Sequence, residues 1–196
     1  MDERRPTVLV VTGPSGAGKG TLIRELLARV PEIEVTVSAT TRDRRRGEED
    51  GREYWFLTDE DFLAGVARGE FLEHVEYVSG HRYGTLRSEL RRIAERGHVP
   101  LLELETEGAL RVKRELPGAV TIFISARVEE LERRLRERAT ESTGEIGERI
   151  ALARKQLEQA GEFDYEIEND ELERAVEELT ALVRRFLNPA ATMPRR

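Results

Sequence analysis

The stretch Gly13-Pro14-Ser15-Gly16-Ala17-Gly18-Lys19-Gly20-Thr21 constrains this chain more than any other. An apolar, β-branched run at 7–12 precedes it, and Leu22, Ile23, Leu26, Leu27 and Val30 follow at helical spacing. Strand, glycine-rich turn and helix in that order form an anion cradle. Glycines let successive N–H groups converge on one concavity, the helix N-terminus adds partial positive charge, and Lys19 reaches terminal phosphate oxygens. A glycine turn with no ligand is the bland alternative, and the agreement of motif with context argues against it.

The rest of the chain repeats that rhythm. Further β-rich runs lie at 33–38, 99–104, 120–125 and, most weakly, 165–167. Between them Leu86, Leu90 and Ile93, then Ile146, Ile150, Ala153 and Leu157, recur at three and four residues, each set marking one buried helix face. A last helix over about 171–187 turns Leu172, Ala175, Val176, Leu179, Leu182, Val183 and Phe186 inward and stops at Asn188-Pro189. Strands separated by helices predict an α/β fold: a five-stranded, mainly parallel sheet flanked by helices.

Two stretches break the rhythm. Residues 39–85 open on a charged loop and hold two more strand candidates, 54–57 and 71–78, which predicts a mixed subdomain inserted between core segments 7–38 and 86–187. Residues 136–149 carry Thr140, Ser142, Thr143, Gly144 and Gly147 among charges and are read as a small mobile lid. Residues 1–6 and 188–196 are read as tails.

Composition closes off other classes. With no Cys there is no disulfide framework and no thiolate metal site, and His74, His81 and His98 lack zinc-type spacing, so any metal takes oxygen ligands. Of 196 residues, 32 are Lys or Arg and 39 Asp or Glu, a net charge of −7. That balance argues against a broad nucleic-acid or anionic-membrane surface. The apolar run at 8–11 is far too short for a signal peptide or a membrane span, and a cytoplasmic protein is expected.

Arg42, Arg44, Arg45 and Arg46 set four guanidiniums within five residues. Such a cluster repels itself, and a dianionic phosphate relieves the repulsion through charge-assisted bonds, with a phenol such as Tyr54 or Tyr83 adding a donor. Alone it reads as a solvated loop. Beside a phosphate loop it reads as a second phosphate site. The hydroxyl usually found directly after the loop lysine is absent, since Gly20 stands there and Thr21 follows. A Mg²⁺ would then rest on phosphates, water and an acid at a neighbouring strand end, for which Glu103 and Glu105 are the candidates.

The run Thr40-Thr41-Arg42-x-x-Arg45-x-x-Glu48-x-x-Gly51-x-x-Tyr54-x-Phe56-Leu57, taken with the phosphate loop, resembles the guanylate kinases of the nucleoside monophosphate kinase group. The likeness runs from about residue 8 to 186. It implies ATP on Gly13 to Thr21, GMP in the insertion, and a lid closing over both. By position it assigns acceptor-phosphate contacts to Arg42, Arg45, Tyr54 and Tyr83, and guanine contacts to Ser38, Glu73 and Thr85, with Glu105 in place of a base-contacting Asp. Guanine suits such a set, because its N1–H and amino group meet a carboxylate while O6 meets a hydroxyl. Adenine presents the opposite pattern at N1. The resemblance also assigns Arg134, Arg138 and Arg149 to ATP and the transferring phosphoryl group, Asn169 to the neighbourhood of adenine, and Glu103 to Mg²⁺, directly or through water.

The reaction implied is MgATP + GMP giving ADP + GDP, with dGMP as a second acceptor and no nucleic-acid or membrane partner. Lys19, Arg42, Arg138 and Arg149 are the residues expected at the chemistry. The sequence departs from the family in having Glu at both 103 and 105, where Asp is usual at one or both, and one extra residue between Glu73 and Tyr83. Two rivals remain at this stage: a catalytically silent interaction module of the same fold, and a kinase for another phosphorylated acceptor such as a ribose bisphosphate. A regulatory GTP switch is weaker, since no Asn-Lys-x-Asp motif is present.

Overall fold

The computed structural model describes residues 8–77, 80–138 and 143–188, without the side chains of 138 and 143–145. Its strands are β1 Val8–Thr12, β2 Ile33–Val35, β3 Ala39–Thr40, β4 Trp55–Phe56, β5 Phe71–Glu76, β6 Arg82–Leu86, β7 Val99–Glu103, β8 Ala119–Ser125 and β9 Tyr165–Glu168. The helices are α1 Lys19–Arg29, α2 Asp59–Ala67, α3 Arg87–Glu95, α4 Thr106–Glu115, α5 Val128–Arg138, α6 Thr143–Leu157 and α7 Leu172–Leu187.

Five strands in the order β2-β7-β1-β8-β9, all pairing parallel, form the main sheet. Both faces are covered, as crossover connections require. Leu9, Val11, Ile122 and Ile124 meet Leu22 and Leu26 of α1 and Ala175, Val176, Leu179 and Val183 of α7 on one side. Val8, Val10, Leu102 and Phe123 meet Ala109 and Val112 of α4 on the other. The alternation along β1 follows from the two-residue period of a strand. Each fully buried Leu, Ile or Phe contributes roughly 1.5–3 kcal/mol of transfer free energy.

The strand expected at 33–38 is shorter, with β2 ending at Val35 and β3 beginning only at Ala39. Pairing with β7 ends after Thr36, whose N–H still reaches Leu101 O, and the next N–H, from Val37, is taken by Glu89 of α3 at 3.0 Å. The chain there crosses into a second sheet of order β4-β3-β6-β5, parallel at β3–β4 and antiparallel elsewhere. Its core is small: Ala39, Phe62 and Phe71, the two rings 4.3 Å apart, flanked by Trp55, Leu57, Val66 and Leu86. Helix α2 starts where Thr58 Oγ1 accepts from the Asp61 N–H at 3.1 Å, and Asp59, Glu60 and Asp61 complement the helix N-terminus.

Two sequence expectations change. Strand β6 and helix α2 were not foreseen within the insertion. The stretch 136–149, read as a lid too polar to pack as core, is helical through Arg138 and again from Thr143; residues 139–142 lie outside the described residues, as do Thr7 and position 78 of two expected strands. Arg136–Glu132 and Arg133–Glu137 pairs run along α5 and Arg154–Glu132 joins α6 to it, while Leu131, Leu135 and Ala153 pack beneath. No described helix is long and apolar enough to cross a membrane.

Candidate active site

The glycine loop sits at the carboxyl edge of the main sheet, between β1 and α1. Gly13 has φ of +138°, and a Cβ there would lie 2.1 Å from Ile124 O, so no other residue fits. Gly18, also left-handed, would put a Cβ 2.4 Å from Asn169 Nδ2. That amide donates to Ala17 O at 2.7 Å, tying the loop to the turn after β9. Arg134 closes the other side, with Nη1 donating to Gly16 O at 3.1 Å and Nε bound to Glu130. Gly20 and Thr21 enter α1, and Gly20 borders open space.

Lys19 Nζ is held by Gly13 O at 2.7 Å and Pro14 O at 3.2 Å, which aims its ammonium along the loop. Burial pulls its pKa down, opposed by Glu105 and Glu103 at the end of neighbouring β7. Burial pushes Glu103 up, although its side chain still meets solvent, and Lys19 offsets part of that rise. Ser15 is exposed at the loop tip and its Oγ accepts from Arg149 Nη2 of α6 at 3.1 Å. The Arg138 side chain lies outside the described residues.

Across the cleft, Arg42 is bound bidentately by Glu48 at 2.8 and 3.0 Å, and its guanidinium lies over the Tyr54 ring at 5.4 Å. The Arg42 hydrogen bonds hold the Glu48 carboxyl below its ordinary range. Tyr54 and Tyr83 meet edge to face at 5.9 Å, and the Tyr83 phenol reaches the same guanidinium. Arg45, by contrast, points to solvent. Tyr77 packs edge-on against Tyr83, and burial pushes its phenol up to about 12.

Glu73 and Thr85 face each other on β5 and β6. Thr85 Oγ1 donates to Glu73 Oε1 at 2.8 Å and is fully buried, so the Thr85 hydroxyl, expected to serve the ligand, is spent on the carboxylate. Burial raises the Glu73 pKa, with Thr85 and Arg111 pulling the other way. Ser38, Glu103, Glu105, Tyr54, Tyr83, Glu73 and Lys19 line one cleft of about 1430 Å³. That exceeds the usual volume of a pocket for one small ligand, roughly 300–1,000 Å³.

Three contributors were not foreseen in these roles. Arg111 of α4 sits near Glu73 and donates to His74 O; Gln156 of α6 donates to Glu105 Oε2 at 3.2 Å; Glu48 neutralises Arg42. Only Glu48 had a local signal, its spacing from the arginines. Among the described residues no group of three or more His, Asp and Glu side chains could hold a metal by itself.

A glycine-built anion cradle at the carboxyl edge of a parallel sheet, facing an Arg–Tyr cluster on an inserted sheet, defines a P-loop kinase. The family profile described as guanylate kinase matches residues 4–186. The chain is 46% identical over 185 residues to the guanylate kinase of Rubrobacter xylanophilus, covering 94% of this chain and 96% of that one. It is 46% identical over 180 residues to that of Synechococcus sp. strain JA-3-3Ab, covering 91% and 82%. The crystal structure of guanylate kinase from Anaplasma phagocytophilum superposes with a TM-score of 0.70 at 29% identity, covering 95% of this chain and 86% of that one. The chain belongs to the guanylate kinase family.

Proposed function

We propose that this chain transfers the γ-phosphoryl group of ATP to GMP, giving ADP and GDP, with dGMP as a weaker acceptor. The observation that carries the reading is one cleft lined by Lys19 on one wall and by Tyr54, Tyr83 and buried Glu73 on the other. The donor phosphates lie along the N–H groups of Gly13 to Thr21 with Lys19 on the terminal ones. Asn169 braces that loop near the adenine, Arg134 and Arg149 face the donor, and Arg138 is assigned to it by the family likeness. Arg42, Arg45, Tyr54 and Tyr83 hold the acceptor phosphate; Glu73 and Glu105 accept from the guanine N1–H and amino group, and Ser38 serves O6, while Thr85 orients Glu73.

An acceptor phosphate oxygen attacks the γ-phosphorus in line, a new P–O bond forms, and the β–γ bridging bond breaks with its electron pair leaving on ADP. The nucleophile is already an anion, so no base is needed; positioning and charge neutralisation do the catalysis. An oxygen-only donor set with a carboxylate close enough to Lys19 to shift its titration suits Mg²⁺, which takes few protein ligands. Glu103 would hold it, directly or through water, and the ion would neutralise phosphate charge. Insertion and lid are taken to close on the ligands, which excludes water and prevents idle ATP hydrolysis.

A coupled ADP-release assay with Mg²⁺ and ATP, comparing GMP, dGMP, AMP, CMP, UMP, ribose 1,5-bisphosphate and no acceptor, tests the reading. Turnover is expected with GMP, less with dGMP, and little elsewhere. Lys19→Ala and Arg42→Ala should each lower it by orders of magnitude with the fold retained. Turnover confined to another acceptor, or GMP binding without any turnover, would overturn it in favour of a different kinase or a silent interaction module.

A further inference from the structure

Helix α6 touches both ends of the cleft. Arg149 donates to Ser15 in the phosphate loop, and seven residues on, Gln156 donates from Nε2 to Glu105 Oε2 at 3.2 Å and lies 3.5 Å from Thr106 Oγ1. Seven residues are two turns, about 10.5 Å along the axis, so both side chains share one face of the helix. Gln156 is 6% exposed, whereas Glu105 is open to the cleft. A buried amide has one orientation that satisfies its donors, and here they point at a carboxylate and a hydroxyl.

Glu105 sits at the N-cap of α4 without capping it, so its side chain takes its direction from elsewhere. A carboxylate on a flexible stem that must meet a ligand donor loses rotamer freedom on binding, and a buried partner that fixes it in advance removes that cost. With Oε2 accepting from Gln156, Oε1 is left for the ligand. Glu73, locked by Thr85, meets the base separately.

We propose that Gln156 is a positioning residue that sets selectivity for the purine 2-amino group by aiming Glu105. This rests on the reading that the cleft takes GMP. Inosine monophosphate keeps N1–H and O6 and lacks only that amino group, so a variant that acts through the Glu105 contact to it should spare this acceptor.

Kinetics with GMP and with inosine monophosphate, ATP also being varied, should be run on the wild type, Q156L, Q156N, E105Q and the Q156L/E105Q double variant, each checked for folding by thermal melting. Q156L should lower kcat/KM for GMP about tenfold, chiefly through KM, as expected for one weakened hydrogen bond. It should leave inosine monophosphate and the KM for ATP within about twofold, and lose its effect in the E105Q background. Q156N, polar but one methylene shorter, should fall between. Equal losses on both acceptors, a raised KM for ATP, or an unchanged GMP-to-inosine-monophosphate ratio in variants that melt normally would overturn the assignment. Absence of GMP turnover in the wild type would instead overturn the reading of the site itself, and this inference with it.

Discussion

The two walls of the cleft are made of different material. The donor wall is backbone: loop N–H groups, carbonyls holding Lys19, and a glycine pressed against Ile124 O, all rooted in a sheet buried on both faces. The acceptor wall is side chains on a small second sheet whose core is three buried residues. A backbone-built site inherits its precision from the main core, whereas a side-chain-built one depends on local packing and can be altered piece by piece.

The contrast is sharpest at single atoms. Gly13→Ala adds a methyl carbon 2.1 Å from a backbone oxygen at φ of +138°, with nothing flexible to yield. It should cost more than about 4 kcal/mol and leave little folded protein. Gly47→Ala, also left-handed but with open space around it, should cost only about 1–2 kcal/mol in urea titrations. Similar losses for the two would erase the distinction between the walls. Phe62→Ala removes the centre of the acceptor core and should cost about 3–5 kcal/mol. The loss should appear as a raised KM for GMP while binding of an ATP analogue survives; losing both together would mean that the two sheets melt as one.

The smallest expected change pairs stability against use. Burial raises the Glu73 pKa, so the folded chain binds that proton more tightly than the unfolded chain does. Stability therefore falls as pH rises from the ordinary glutamate range through the raised value. Glu73→Gln keeps an acceptor for Thr85 and should remove that fall, raising the ligand-free melting temperature at neutral pH. The same change should weaken GMP by about tenfold to a hundredfold through mismatched donors, 1–3 kcal/mol. A melting temperature that drops, with GMP use intact, would show the carboxylate to be structural.

The difference between the walls also decides what a reader of the sequence can find. The donor loop occupies one contiguous stretch whose glycines, lysine and flanking apolar runs all carry the signal, and β1 and β8 stand out as β-branched runs, with β7 a short apolar one. Strand β6 was invisible because Gly84 interrupts a short run and is a poor strand former; the glycine is needed there because a Cβ would come within 2.7 Å of Glu73 O on β5. Helix α2 hid behind three successive acids that serve its N-terminus. Gln156 and Arg111 reach the acceptor side from helices far along the chain, with no local pattern to mark them. The resemblance reached Glu73, Ser38 and Tyr83, but not the hydroxyl of Thr85 turned toward its neighbour.

Glu48 makes Arg42 a guarded cation. A small anion arriving alone must displace a carboxylate tethered six residues away and already bidentate, whose effective concentration on so short a tether is on the order of millimolar. Free phosphate or sulfate in passing is thus held at a disadvantage. An anion delivered by a ligand whose other end already fills the cleft competes on equal terms, since it too is effectively intramolecular. The pair filters arrivals by what they are attached to rather than by charge alone.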